Sequence, residues 1–150
     1  MLAIRADADA RIGLGHAMRC FALAETWCAQ GGEAVFFSSA ALPGPVLARL
    51  DGAGIKHRVL SAPDNGHDFA EVAAGTGARW LVIDGSFATP GYLDLVGKAG
   101  LPVLLLDDAA SAKRYPCDLL LNQNVQASPD QYTGRAGARV LAGPGFALIR

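Results

Sequence analysis

The sequence has little that would draw it to nucleic acid or hold it in a membrane. It has 13 Lys and Arg against 14 Asp and Glu in 150 residues, for a net charge of −1. Such a balance attracts neither a polyanion nor an anionic membrane surface. No stretch reaches the roughly 18 apolar residues of a membrane span, and the first residues lack the basic and apolar regions of a signal peptide. We therefore expect a cytoplasmic protein that binds neither nucleic acid nor membrane.

Cysteine is also scarce, with three residues in the chain. Cys20 and Cys28 fall on one predicted helix, separated by about 12 Å along its axis, which is too far for a disulfide. Cys117 stands apart from both. No cysteine or histidine has the spacing of a metal site. These patterns predict a reducing compartment, no disulfide framework and no bound metal.

The residues that are present favour a single globular domain over 1–150. Hydrophobic residues make up 51% of the chain and charged residues 18%, which excludes intrinsic disorder. Apolar runs without alternation are typical of strands buried on both faces. Such runs lie at 2–6, 33–38, 56–60, 79–84, 102–107, 118–122 and 138–142. Helices are predicted between them at His16–Gln30, Gly44–Gly52, His67–Thr76 and Pro90–Ala99, with Phe21 and Trp27 in the core.

Repeated strand–helix–strand units predict a doubly wound, parallel α/β sheet of about seven strands. The helical signal weakens after Asp107, so 109–116 is expected to be a turn or a short helix. Ligands of such sheets bind outside the carboxyl ends of the strands. Polar residues stand at four of these ends, although any loop begins with polar residues. They are Arg5 and Asp7; Asp84 and Ser86; Asp107 and Asp108; and Asn122, Gln123 and Asn124.

A glycine-rich loop follows the first strand and contains Gly13 and Gly15. It is not a dinucleotide fingerprint, because Met18 stands at the third glycine position, and we expect no cofactor. His16 and Arg19 follow on one face of the next helix. A histidine near a helix N-terminus is disfavoured as a cation, so we expect it to be a neutral general base. Its second nitrogen is expected to bond Asp7 or Asp9. The alternative is a histidine that caps or packs against the helix and has no catalytic role.

Three segments together resemble one enzyme family. RADADARIGLGHAMR is similar to the R-A-D-x-x-x-x-I-G-x-G-H-x-x-R opening of the UDP-sugar hydrolases of pseudaminic acid biosynthesis. LLLDDAASAKRYPCDLLLNQN and AGPGFALIR resemble later segments of the same family, in order. The chain departs from the family in Ser86 and Phe87, where an aromatic hydroxyl is usual, and in Phe146, which replaces a tyrosine. These departures put the sugar's identity in question more than the reaction.

The resemblance implies the amino-terminal Rossmann-like half of a GT-B fold. It also implies that a carboxyl-terminal nucleotide-binding domain is absent from this chain. The family hydrolyses UDP-2,4-diacetamido-2,4,6-trideoxy-β-L-altropyranose with inversion and without metal, for flagellin glycosylation. The family's catalytic base falls on His16. Substrate-binding roles are expected for Asp7, Gly13, Gly15, Arg19, Asp84, Ser86, Asp107 and Asn122.

Two other functions remain open from the sequence. The chain is alternatively the acceptor half of a GT-B glycosyltransferase, with His16 deprotonating a sugar hydroxyl instead of water. It is alternatively a non-catalytic sugar-binding half that needs a separate partner domain. In each case the bare face of an isolated half predicts possible dimerisation.

Overall fold

The chain folds as seven strands interleaved with four helices in the computed structural model, which describes residues 1–149. The strands are β1 (Leu2–Ala6), β2 (Ala34–Ser38), β3 (Lys56–Val59), β4 (Trp80–Asp84), β5 (Val103–Leu106), β6 (Leu119–Asn122) and β7 (Arg139–Ala142). The helices are α1 (Gly15–Ala29), α2 (Gly44–Gly52), α3 (Gly66–Ala74) and α4 (Pro90–Gly97). Two 3₁₀ turns occupy Pro129–Tyr132 and Pro144–Phe146. Arg150, which closes the third family-like segment, lies outside the described residues.

All seven strands form one parallel sheet in the order β3-β2-β1-β4-β5-β6-β7. The predicted Rossmann-like α/β fold is therefore confirmed, with every predicted boundary within two residues of the observed one. The segment 109–116 contains no helix. The strand order reverses between β1 and β4, and a crevice opens at such a reversal, outside the carboxyl ends of the strands.

The five central strands are buried on both faces, which explains why they are almost continuously apolar, whereas the edge strand β3 is exposed at three of its four residues. Neighbouring residues of one strand enter different cores: Phe36 packs with Phe21 on the face of α1 and α2. Phe37 packs edge-on against Phe69 on the face of α3, with ring centroids 5.6 Å apart. Alternate side chains of a strand point to opposite faces, so the central strands contribute side chains to both cores.

The prediction that Trp27 lies in the core is wrong. Phe21 is buried as expected, but Trp27 is 40% exposed. Its side chain borders an apolar groove of about 190 Å³ that also includes Leu23, Trp80 and Leu104. The groove lies at the edge of α1, which packs on β1 and β4, and Leu104 of β5 and Leu119 of β6 form its far wall. None of the described helices combines the length and apolarity needed to cross a bilayer.

Candidate active site

The candidate active site lies at the reversal of strand order, as the topology predicts. A pocket of about 380 Å³ opens between the start of α1, the end of β4 and the loop after β5. His16 and Arg19 enter it from α1, Asp84 from the last position of β4, and Asp108 from the loop. The fold thus brings together residues that are more than sixty positions apart in the sequence.

The glycine-rich loop holds its shape through Asp9. The Asp9 carboxylate accepts hydrogen bonds from the backbone N–H groups of Ile12 at 2.6 Å and Arg11 at 2.7 Å. These two bonds lower the pKa of Asp9 below its ordinary value. Gly13 closes the turn with a φ of 82°, in the left-handed region that favours glycine. Gly13 and Gly15 therefore shape the entry to α1 and do not line the pocket.

Asp84 joins His16 and Arg19 into one hydrogen-bonded cluster. The His16 Nδ1 lies 2.8 Å from the Asp84 Oδ1. Arg19 donates from Nε to Oδ2 and from Nη2 to Oδ1, both at 2.6 Å. The Sγ of Cys20 lies 3.6 Å from Oδ2, so a thiol completes the shell. A buried carboxylate needs such partners to remain charged, and Asp84 is fully buried.

The pKa of His16 shifts in the direction opposite to the one expected from the helix N-terminus. The hydrogen bond to Asp84 raises the pKa of His16 above its ordinary value, although burial and the Arg19 charge oppose this shift. The Asp84 carboxylate therefore decides the direction of the shift in the pKa of His16. The expected partners Asp7 and Asp9 were also wrong, because Asp84 holds Nδ1. Nδ1 also lies 3.2 Å from the Arg19 Nη2. When Nδ1 donates to the Asp84 carboxylate, Nε2 is left as the acceptor, and no hydrogen bond to Nε2 is found within residues 1–149.

Arg19 is shared between two carboxylates. Besides Asp84, it donates to Asp108 from Nη1 at 2.7 Å and from Nη2 at 2.9 Å. Burial alone would lower the pKa of Arg19, but the two carboxylates raise it. With neutral His16, the three ionised groups have a formal charge of −1. Arg19 therefore orients Asp84 and leaves no surplus positive charge for a phosphate.

Asp7 lies on the other side of His16 from this cluster. Its Oδ1 accepts from the Arg5 guanidinium at 2.6 Å and from the Ser39 backbone N–H at 2.7 Å. Burial tends to raise the pKa of Asp7, but these bonds outweigh it and the pKa is lowered. Asp7 thus fixes the ends of β1 and β2 relative to each other and does not contact the His16 ring.

Asp107 and Asn122 belong to a network behind the pocket. Asp107 accepts from the Tyr132 hydroxyl at 2.8 Å and from the Ala110 N–H at 2.8 Å, and it lines the pocket wall. Asn122 is buried and donates to the same hydroxyl at 2.8 Å. The fold does not bring Asn122 to the pocket. Ser86 is exposed at the rim, as a residue that contacts substrate must be.

Sequence reasoning missed the pairing of Asp84 with His16 and the role of Asp108. Both carboxylates stand at or just after the end of an apolar strand. A polar residue in that position marks the end of any strand and does not say which residue it pairs with. Strand order decides which strand end faces α1, and β4 lies beside β1 only because the sheet is wound in both directions. The pattern of one sequence does not reveal that order.

One group of potential metal ligands lies outside the pocket, among the described residues. His67, Asp68 and Glu71 on α3 have ligand atoms within 4.8 Å of one another. Glu71 is exposed, and His67 and Glu71 are already within salt-bridge distance at 3.5 Å. In the pocket, the carboxylates of Asp84 and Asp108 face Arg19 instead of an open coordination site.

Comparison with known proteins supports the fold class. No family model and no curated protein sequence matches the chain. Among solved structures, the crystal structure of Acinetobacter baumannii MurG, a GT-B glycosyltransferase, is similar with a TM-score of 0.62 and 14% sequence identity. The match covers 94% of this chain and 44% of the MurG chain. The chain thus has a GT-B-like, Rossmann-type fold and spans less than half the length of that enzyme.

The bond between His16 and Asp84 makes a testable contribution to stability. Because the folded-state pKa of His16 is raised, its contribution is full below the unfolded value of about 6.5 and is lost as pH rises through the folded value. We expect the loss of unfolding free energy in His16→Gln to be larger near pH 5.5 than near pH 8.5. Urea unfolding at both pH values measures it.

His57→Gln is the matched control for this measurement. Burial lowers the pKa of His57, so the pH dependence of its substitution should have the opposite sign. A cost of His16→Gln that is the same at both pH values would show that Asp84 does not hold the His16 cation.

Proposed function

We propose that this chain is the base-bearing half of an enzyme that hydrolyses a UDP-sugar at its anomeric carbon. The substrate is a UDP-diacetamido-trideoxy-hexose, as the resemblance of the RADADARIGLGHAMR segment implies. One observation carries the proposal: the Asp84-bound His16 has its second nitrogen, Nε2, unpartnered in residues 1–149. A histidine with this arrangement is a general base whose tautomer and orientation are fixed.

The reaction follows from that geometry. The Nε2 of His16 accepts a proton from a water molecule as its oxygen attacks the anomeric carbon. The bond from that carbon to the diphosphate oxygen breaks, its electron pair leaves with UDP, and the configuration inverts. Asp84 stabilises the imidazolium that forms, consistent with the raised pKa of His16. A diphosphate is a good leaving group, so no strong general acid is needed.

The charges of the pocket favour a nucleotide site on another domain. Arg19 is already neutralised by Asp84 and Asp108, so the cluster offers a diphosphate no surplus cation. A phosphate site would instead use unpaired arginines or lysines. We therefore propose that a second domain binds the UDP and that this half supplies the base and the contacts to the sugar.

A glycosyltransferase is the second candidate, and the likeness to MurG favours it. In that reaction His16 would remove the proton from a hydroxyl of an acceptor sugar instead of water. The two functions differ when no acceptor is present. A hydrolase releases UDP and free sugar from the UDP-sugar alone, whereas a transferase does so slowly or not at all.

His16→Ala tests the base in the full-length product of the gene. We expect kcat to fall about 100- to 10,000-fold with KM nearly unchanged, because a general base acts in the transition state. UDP release from a panel of UDP-sugars without acceptor measures both constants. A variant that stays within a few-fold of the parent would refute the role of His16.

Asp84→Asn tests the origin of the basicity of His16. Removing the carboxylate lowers the pKa of His16, so the acidic limb of the kcat profile should move to lower pH, and kcat at the plateau should fall. The matched control is Asp108→Asn, which changes the other partner of Arg19 and should shift the limb less. An unmoved limb in a folded Asp84→Asn variant would contradict the assignment.

UDP binding tests the division of roles between domains. We expect the 150-residue chain to bind UDP with millimolar affinity at best, about −4 kcal/mol, because Arg19, the cation of the candidate pocket, is already paired with Asp84 and Asp108. Isothermal titration calorimetry with UDP measures this affinity. Micromolar binding would place the nucleotide site in this domain and overturn the proposed division.

A further inference from the structure

Asp107 is a carboxylate of the candidate pocket that takes no part in the hydrogen bonds of His16. It stands directly after β5 and lines the pocket. Its Oδ2 accepts hydrogen bonds from the Ala110 backbone N–H and from the Tyr132 hydroxyl, both at 2.8 Å. The Tyr132 hydroxyl accepts in turn from the Asn122 side chain at 2.8 Å, which leaves its own proton for Asp107. The protein therefore fixes one oxygen of this carboxylate.

The other oxygen of Asp107, Oδ1, is open. The third hydrogen bond to this side chain, from the Tyr115 hydroxyl at 3.5 Å, also ends on Oδ2. No hydrogen bond to Oδ1 is found within residues 1–149. In that part of the chain, the buried side-chain atoms without a partner are the Arg5 Nε and the Tyr92 hydroxyl. Oδ1 is unpaired without being buried, so it is accessible to a ligand in the pocket that Asp107 lines.

The loop that follows Asp107 is held in an unusual conformation. Ala110 has a φ of 49°, in the left-handed region that a residue with a side chain rarely adopts. Its N–H is bonded to Asp107, and its carbonyl oxygen accepts from the Arg135 Nη1 at 2.9 Å. Strained backbone of this kind persists only where surrounding bonds enforce it, and it is concentrated at functional sites. The loop, Arg135 and Tyr132 thus hold the Asp107 carboxylate in place before a ligand binds.

The pocket that Asp107 lines has a negative formal charge. The acidic and basic residues of its wall are Asp84, Asp107, Asp108, Arg19 and His16. With His16 neutral, three carboxylates and one guanidinium give a formal charge of −2. The nearby guanidinium of Arg135 is bonded to the carbonyl oxygens of Ala110 and Ala112, and the Thr89 hydroxyl caps the first turn of α4. Such a pocket favours positive charge on a ligand and disfavours negative charge.

We propose that Asp107 is a catalytic residue that stabilises positive charge on the sugar ring in the transition state. As the bond to the diphosphate oxygen breaks, positive charge develops on the anomeric carbon and the ring oxygen. The open Oδ1 stabilises that charge electrostatically, and a carboxylate fixed in advance does so without reorganisation. Asp107 forms no bond to the sugar and moves no proton; His16 remains the base, and Tyr132 is a positioning residue. This inference rests on the proposed function, because it concerns the same reaction.

The test compares two ligands that differ in one ring group. 1-Deoxynojirimycin has a ring nitrogen that takes up a proton, and 1,5-anhydroglucitol has an oxygen there with the same hydroxyl groups. NMR titrations of the 150-residue chain follow the backbone amides of Ala110 and Ala112. We expect the iminosugar to bind about tenfold more tightly, the effect of one charge-assisted contact. Equal affinity for the two rings, or no shift with either, would overturn the proposal.

Asp107→Asn removes the charge of the side chain and keeps its shape. We expect this variant to lose the tenfold preference for the iminosugar while its affinity for 1,5-anhydroglucitol stays nearly unchanged. Asp51→Asn, exposed on α2 and outside the pocket, is the matched control and should keep the preference. An unchanged preference in Asp107→Asn would refute the role of Asp107.

Tyr132→Phe decides the question if Asp107→Asn does not fold. It removes one of the donors that fix Oδ2 and should lower the preference for the iminosugar about threefold. The matched control is Tyr92→Phe, because the Tyr92 hydroxyl has no partner among residues 1–149 and lies outside the pocket. The same preference in both variants would refute the proposal.

Kinetics of the gene product separate this inference from the proposed function. In the hydrolase, Asp107→Asn should lower kcat about 100-fold with KM nearly unchanged, because the charge appears in the transition state. An iminosugar preference that depends on Asp107, without hydrolysis of any UDP-sugar, would keep the role of Asp107 in the pocket and reject the hydrolase. Hydrolysis that is as fast in Asp107→Asn as in the parent would keep the hydrolase and reject the role of Asp107.

Discussion

The buried carboxylate of Asp84 is the constraint on which the site depends. A lone carboxylate in this position, at the end of a central strand, would be strongly destabilised by the loss of water. Arg19 and His16 compensate for that loss, and both come from the first two turns of α1. Removing one partner of such a buried pair typically costs about 3–5 kcal/mol. The position of α1 against β4, the tautomer of His16 and the charge of Asp84 are therefore fixed together.

His16 consequently stands between two environments of different chemistry. On one side, Arg19 is held between Asp84 and Asp108 and helps to position the His16 ring. On the other, Arg5 is buried, donates to Asp7 and stacks on the Phe87 ring. Neither side offers a surplus of positive charge. This balance of charge supports the proposal that the domain contributes a proton transfer and that the diphosphate binds elsewhere.

The sequence predicts the fold well because burial on both faces of the sheet leaves a simple pattern. Runs such as RWLVID and PVLLLD are apolar throughout, and the helices between them have clear ends. The site was harder to predict. The glycine-rich loop pointed to His16, but the helix dipole suggested a neutral ring, and Asp7 and Asp9 were the nearest carboxylates in sequence. The true partner, Asp84, is contributed by a strand 68 residues away, and only the packing of β4 beside β1 selects it. The prediction that Trp27 is buried was wrong for a related reason. A tryptophan on an apolar helix face is buried only where a further layer of the structure covers it.

The most direct test of this account is the tautomer and pKa of His16 in solution. Histidine-selective ¹⁵N labelling with long-range ¹H–¹⁵N correlation spectra, recorded across a pH titration, reports both. The account predicts that neutral His16 is protonated on Nδ1, with Nε2 unprotonated, and that its pKa lies above the ordinary value of about 6.5. A neutral ring protonated on Nε2, or a pKa at or below 6.5, would contradict the claim that Asp84 makes His16 the base.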